Sequence, residues 1–164
     1  MIFEGPIRNA LHKLKYRRNL GLGEALAQYL AEYLSSLAWP IELVVPVPLG
    51  RNRYRERGYN QVALFAQPLA AGLGLRYAPK TLVRVRDTQS QVGLSAAERK
   101  ENVSGAFLAD PSLAGGKSVL IMDDVATTGA TLASCAEELS GAGAISVYAL
   151  TLARALPQYG LPKV

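Results

Sequence analysis

The chain has 164 residues, 49% of them hydrophobic and 19% charged, with a formal net charge of +5, a balance that suits one compact domain with a real core and excludes a disordered or fibrous chain. No basic segment leads into an apolar one near the start, and no run of about 18 apolar residues occurs, so neither a signal peptide nor a membrane span is expected. The single cysteine, Cys135, excludes an intramolecular disulfide and a cysteine-rich metal site; it fits a reducing, cytoplasmic setting in which it packs as a small hydrophobe.

In chain order, Ile7, Ala10, Leu11 and Leu14 recur at i, i+3, i+4, i+7 and predict a short amphipathic helix with basic residues on its other face. Leu22, Ala25, Leu26, Tyr29, Leu30, Tyr33, Leu34 and Leu37 continue that period in a second, longer helix. Leu43 to Val47 is an apolar run closed by Pro46 and Pro48, a strand that ends where the ladder no longer needs the missing N–H. An arginine-rich loop follows directly. Val62, Phe65, Ala66 and Leu69 predict a helix from Asn60 that halts at Gly72-Leu73-Gly74. Thr81 to Val85 and Val103 to Leu108 read as strands, separated by a polar stretch in which Ser95-Ala96-Ala97-Glu98 has capping-box spacing. Gly115-Gly116 turns into Val119-Leu120-Ile121-Met122, the unbroken apolar run of a central strand covered on both faces. A helix from about Thr131 to Leu139 ends at Gly141-Ala142-Gly143, and Ser146 to Leu152 is a further strand. Strand, helix, strand in this order predicts a right-handed crossover and a parallel sheet, hence an α/β fold. Ligands of such sheets sit at the carboxyl ends of the strands, which brings Pro48 to Gly58 and Asp123 to Thr131 to one edge.

The segment from Val119 to Thr131 carries the chemistry. Two adjacent carboxylates, Asp123 and Asp124, at the open end of a buried strand repel each other and are poorly solvated unless a ligand or cation compensates them. A ribose offers vicinal hydroxyls as donors, and Mg2+ can join those hydroxyls to a diphosphate. The residues that follow, Val125, Ala126, Thr127, Thr128, Gly129, Ala130 and Thr131, are small or hydroxylated and precede a helix, so backbone N–H groups and hydroxyls there can converge on one phosphate. The loop has no lysine and matches neither the nucleotide triphosphatase nor the dinucleotide pattern. The expected ligand therefore carries a monophosphate beside a ribose.

Here the sequence resembles the type I phosphoribosyltransferases, whose pattern of four apolar residues, two acids and a short Thr-Thr-Gly-Gly/Ala-Thr loop is matched at every position. The resemblance implies that Asp123 and Asp124 hold the ribose hydroxyls of phosphoribosyl pyrophosphate and that Ala126 to Thr131 hold its 5′-phosphate. It further implies that Mg2+ enters through the ligand. Phe3-x-Gly-Pro, Lys13-Leu14-Lys15-Tyr16, Val45-Pro46-Val47-Pro48, Arg57-Gly58-Tyr59-Asn60-Gln61 and Thr88 to Phe107 narrow it to the competence ComF family, proteins linked to DNA uptake and processing. That family usually carries an N-terminal four-cysteine zinc module, which this sequence does not contain. The implied layout is one domain over 1–164, with a helical hood over 1–40, an α/β core over 41–154 and a tail over 155–164.

The turn Pro48-Leu49-Gly50 with Arg51 and Arg53 falls where this fold binds pyrophosphate, and the arginines can give it charge-assisted hydrogen bonds; the plain alternative is a solvated arginine-rich loop. Arg86 to Lys100 occupies the place of the family's mobile loop, which gives Arg86 and Lys100 the part of catalytic cations at the leaving group; the plain alternative is an exposed connection. His12, the sole histidine, has no histidine or cysteine partner and takes no role. Three basic clusters point to a polyanionic partner, and both phosphate-rich small molecules and nucleic acid qualify. The reading is thus of a phosphoribosyltransferase with an unknown acceptor. Its alternative is a protein that senses the metabolite or binds single-stranded DNA, with Tyr16, Tyr54 and Tyr59 suited to base stacking. Competence-machinery proteins and a second copy in a homodimer complete the candidate partners.

Overall fold

The structure, a computed structural model, describes residues 2, 5–87 and 95–155. Four parallel strands form the main sheet in the order β2-β1-β5-β6: β1 is Leu43–Pro46, β2 Arg76–Tyr77, β5 Ser118–Ala126 and β6 Ser146–Arg154. A separate antiparallel pair joins β3, Leu82–Arg84, to β4, Phe107–Ala109. The helices are α1 (Gly5–Arg17), α2 (Leu20–Leu37), α3 (Arg51–Arg57), α4 (Ala63–Gly72), α5 (Ala96–Val103), α6 (Pro111–Ala114) and α7 (Ala130–Gly141). No helix among the described residues is long and apolar enough to cross a membrane.

Alternation along the strands divides the core in two. Val44, Leu120 and Met122 face one way and pack with Leu11 and Leu14 of α1, Leu30 and Leu34 of α2, and Phe65 and Leu69 of α4. Val45, Val119 and Ile121 face the other way, toward Cys135 and Leu139 of α7 and Phe107 of β4. Because both faces are covered, the central strand can be apolar throughout. Each fully buried aliphatic or aromatic side chain of this kind contributes about 1.5–3 kcal/mol relative to an exposed one.

Helix α2 opens at Asn19, whose side chain accepts the Leu22 N–H. It crosses α4 at Gly23, where a Cβ would lie 2.3 Å from the Leu64 carbonyl oxygen; only glycine lets the two backbones approach so closely.

The stretch after Pro48, expected as a loop, is instead helix α3, seven residues from Arg51 to Arg57. Its C-cap, Gly58, adopts φ 73° and donates its N–H to the Tyr54 carbonyl. None of its residues is buried, so there was no apolar period to reveal it. Val103, expected to start a strand, is the buried end of α5, and the chain then turns at Gly105 (φ 61°) into β4. Strand β2, with two residues, and helix α6, with four, are too short to leave a period in the sequence.

Candidate functional site

Strand β1 stops paired at Pro46↔Met122, whereas β5 runs on beside β6 through Asp123↔Thr151 to Ala126↔Arg154. The two acids therefore lie where β5 has lost its β1 neighbour, at the carboxyl edge of the sheet. What fills that place is the chain around α3. Val47 donates its N–H to the Met122 carbonyl at 2.8 Å, and Asn60 Nδ2 donates to the Val47 carbonyl at 2.9 Å. This fixes Gln61, only 4% exposed, against β5.

The two carboxylates have different surroundings. Asp124 is 7% exposed. Its Oδ2 lies 2.7 Å from Lys15 Nζ at the end of α1 and accepts Gln61 Nε2 at 3.2 Å, while its Oδ1 accepts the Val125 N–H at 2.8 Å. Gln61 is itself oriented by Arg57, which donates to its Oε1 at 2.7 Å. Lys15, Asp124, Gln61 and Arg57 thus form one chain of charge-assisted contacts on the α1 and α4 side of the sheet.

Asp123 serves the α7 side. It borders a small cavity of about 20 Å³ shared with Val125, Ala126, Thr127, Gly129, Ala130 and Thr131. Although part of its surface opens on that cavity, burial, followed by the neighbouring Asp124 charge, pushes its pKa up to about 8. Its Oδ1 accepts the Asp124 backbone N–H at 2.8 Å, which does not offset the burial, the condition that a diol or a cation relieves. Gly129, at φ 81°, ends the loop and lets α7 begin at Ala130. The loop and the first turn of a twelve-residue helix therefore face the same cavity as Asp123, an arrangement of N–H groups suited to a phosphate.

Of the other residues singled out, Pro48 and Leu49 are half-buried and Gly50 is buried, while the side chains of Arg51 and Arg53 are exposed. The Arg51 backbone N–H donates to Asp87 Oδ1 at 2.9 Å, and a Cβ on Gly50 would lie 2.5 Å from that same oxygen. Arg86 points its guanidinium at the end of α5, donating to the carbonyls of Asn102 at 3.1 Å and Ser104 at 2.6 Å. Lys100 lies on α5, but its side chain, like residues 88–94 of the expected mobile loop, is outside the described residues.

Sequence reasoning missed Lys15, Gln61, Arg84 and Asp87. Arg84 packs over Phe107 at 5.3 Å. Its pKa is lowered by burial and by Arg53, against which Asp87 and Asp123 act, so it is a half-buried cation in the field of two acids. Lys15 belonged to the basic face of α1, and nothing local distinguishes it from Lys13. Gln61 ended a segment quoted for its resemblance, without a role.

A larger cavity of about 740 Å³ lies on the other side of the Gly58 to Gln61 segment, lined among others by Arg18, Tyr54, Tyr59, Asn60, Gln67 and Tyr77. Burial pushes the Tyr77 hydroxyl up to about 12. Tyr59 donates its hydroxyl to the Leu14 carbonyl at 2.6 Å and lies under Arg18 at 5.8 Å.

Comparison with known proteins decides the family. The model of the phosphoribosyl transferase domain matches residues 62–163. The chain belongs to this family. It is 38% identical over 156 residues to the DNA utilization protein YhgH of Salmonella typhi, covering 92% of this chain and 68% of that one. It is 33% identical over 162 residues to competence protein F of Haemophilus influenzae, covering 92% and 69%. These relatives identify the ComF branch of the type I phosphoribosyltransferase fold. Among solved structures, the glutamine phosphoribosylpyrophosphate amidotransferase of B. subtilis, complexed with ADP and GMP, superposes with a TM-score of 0.52 at 23% identity, over 85% of this chain and 26% of that one. That likeness shows the same fold. The phosphoribosyl transferase match begins at Val62, so Lys15 and Gln61, the residues that hold Asp124, precede it.

Proposed function

We propose that this protein binds phosphoribosyl pyrophosphate with Mg2+ and transfers its ribosyl 5-phosphate group to a nucleophile, releasing pyrophosphate, in a role in DNA uptake or utilization. The observation that supports the reading is the shared cavity: Asp123, the end of β5 at Ala126, the loop residues Thr127 and Gly129, and Ala130 and Thr131 at the start of α7 border the same small space at the carboxyl edge of the sheet. A carboxylate for sugar hydroxyls beside the N-terminus of a helix for a phosphate suits a sugar phosphate. The names of the relatives support the biological setting.

Among the described residues no group of three or more histidine, cysteine or acidic side chains is gathered that could hold a metal. Asp123 and Asp124 also have contacts on opposite faces of β5. They fit a Mg2+ that arrives on the ligand's oxygens rather than one caged by protein alone. Such an ion, when bound, neutralises a diphosphate leaving group. The protein's own part is positioning: Asp123 orients the diol, the loop before α7 holds the 5′-phosphate, and the turn Pro48 to Arg51 receives the diphosphate, with Arg53 and Arg84 contributing positive charge nearby. No described side chain presents itself as a base for an acceptor.

A binding role without turnover is the second reading, favoured by the arginine and tyrosine pairs Arg18 with Tyr59 and Arg57 with Tyr16 and by the exposed Tyr54, which suit stacking against bases. Pyrophosphate release from phosphoribosyl pyrophosphate, assayed with a panel of nucleobase and amine acceptors, separates the two. Release above background supports transfer, and tight binding with no release supports the second reading.

A further inference from the structure

The cavity of about 740 Å³ takes no part in the sugar-phosphate reading, since it shares no lining residue with the small cavity beside Asp123. Its size is that of a site for a small organic molecule. Two of its wall residues are already fully engaged. Tyr59 donates its hydroxyl to the Leu14 carbonyl and accepts the Arg18 N–H on it, and Asn60 donates to the Val47 carbonyl and accepts the Val62 N–H. These bonds fix the wall before any ligand arrives, which lowers the cost of binding. Three other lining side chains, Glu24, Gln67 and Tyr77, make no hydrogen bond or ion pair among the described residues. Between them they offer both donors and acceptors. Charge narrows the ligand further. Arg18 and Glu24 are the only charged residues among the described lining, and their charges cancel, so a phosphate finds no net attraction there. The rings of Tyr54, Tyr59 and Tyr77 suit stacking against a flat ring instead.

We propose that this cavity binds an uncharged, flat heteroaromatic ring with hydrogen-bonding edges, such as a nucleobase, taken up free and not on a phosphate chain. The inference goes beyond the proposed function and does not depend on it. The ring stacks on the tyrosines, and its edge bonds to the Tyr77 hydroxyl and the Gln67 amide. Because it meets no residue of the cavity beside Asp123, it acts as an effector and not as an acceptor. Its influence passes through the wall: Gln61, next in the chain to Asn60, donates to Asp124, so a ring held against Tyr59 and Asn60 steadies the segment that fixes that acid.

The test is calorimetric titration of the whole chain with adenine and with cytosine, neither of which carries a sugar or a phosphate. At least one should bind saturably with a Kd of about 1 mM or tighter, within reach of so small a molecule. Tyr77→Phe, which keeps the ring, should weaken that binding about fivefold through loss of one neutral hydrogen bond. Ala71→Trp, at an exposed position of α4 that lines the cavity, should abolish it by filling the space. Amide exchange should slow from Gly58 to Ala63 and not from Thr127 to Thr131, and neither ribose 5-phosphate nor an oligodeoxyadenylate should displace the base. No binding by either base, affinity unchanged in both variants, protection at Thr127 to Thr131 instead, or displacement by either competitor overturns the proposal. Should one variant not fold, the other variant and the exchange pattern of the wild type still decide. Failure of the wild type to bind phosphoribosyl pyrophosphate would sink the functional reading alone, with these titrations still judging the cavity.

Discussion

Asp87 Oδ1 accepts the backbone N–H of Arg51 at 2.9 Å, although the two residues are 36 apart in sequence. A carboxylate thus rests against the turn that the proposed function assigns to a diphosphate. One anion stands where another is expected. Replacing Asp87 by Ala should strengthen pyrophosphate binding about fivefold, roughly 1 kcal/mol, the upper range for one solvent-exposed charge contact. Calorimetry with pyrophosphate and Mg2+ measures it. Weaker binding by the variant would show that Asp87 shapes the turn for its ligand instead of blocking it.

The crossing of α2 and α4 gives a prediction about stability. Gly23→Ala places a Cβ against the Leu64 carbonyl, and separating two packed helices to admit it should cost about 1–3 kcal/mol. Gly21→Ala has only Asn19 Oδ1 nearby, at 3.9 Å, and should be neutral or slightly stabilising. Thermal melts of both variants check the pair; equal melting temperatures would contradict the crossing geometry.

Asp123 makes stability depend on pH. Its pKa in the folded protein is raised to about 8 from an ordinary 3.8, so the folded state binds a proton that the unfolded state releases. The associated stabilisation is fully present below the unfolded value and is lost as pH rises through about 8. Stability should fall across that window by at most about 1.4 kcal/mol per pH unit, and Asp123→Asn should flatten the decline. Denaturant titrations at several pH values read this directly. A wild-type profile that coincides with the variant's would show that Asp123 ionises normally.

Arg86 is expected to act as a catalytic cation, and its guanidinium donates to the Asn102 carbonyl in the last turn of α5 and to the Ser104 carbonyl just beyond it, a favourable place for a positive charge. Arg86→Ala should therefore lower the stability by about 0.5–1.5 kcal/mol for each bond lost, read as a lower melting temperature. It should also loosen α5, read by faster amide exchange from Glu101 to Ser104. A variant with unchanged melting and exchange but reduced turnover would support the catalytic assignment over the structural one.

How much of this was legible beforehand follows from the residues themselves. The apolar run Val119 to Met122 announced the central strand, and the periods of α1 and α2 announced their helices, because burial of one stripe or of both faces leaves a mark in the sequence. Helix α3 left none, since its residues Arg-Asn-Arg-Tyr-Arg-Glu-Arg bury nothing. The adjacency of the two acids is legible in the sequence, but their separate contacts are not: with β5 continuing past them to Ala126, Asp123 borders the small cavity and Asp124 meets Lys15 and Gln61, a difference that strand alternation produces. The Lys15 contact, by contrast, spans more than a hundred residues and depends on how α1 docks. No local pattern encodes it.

The central claim, that Asp123 and the loop before α7 form a sugar-phosphate site, is tested most directly by calorimetric binding of phosphoribosyl pyrophosphate with Mg2+ to wild type and to Asp123→Asn. Asparagine keeps the size of the side chain and resembles the protonated acid, so the fold should survive. The account predicts saturable binding to the wild type and at least a roughly tenfold loss in the variant, because the ligand's hydroxyls and cation draw Asp123 into its ionised form and asparagine cannot supply that charged acceptor. Absence of binding to the wild type, or equal affinity of a folded Asp123→Asn, would contradict it.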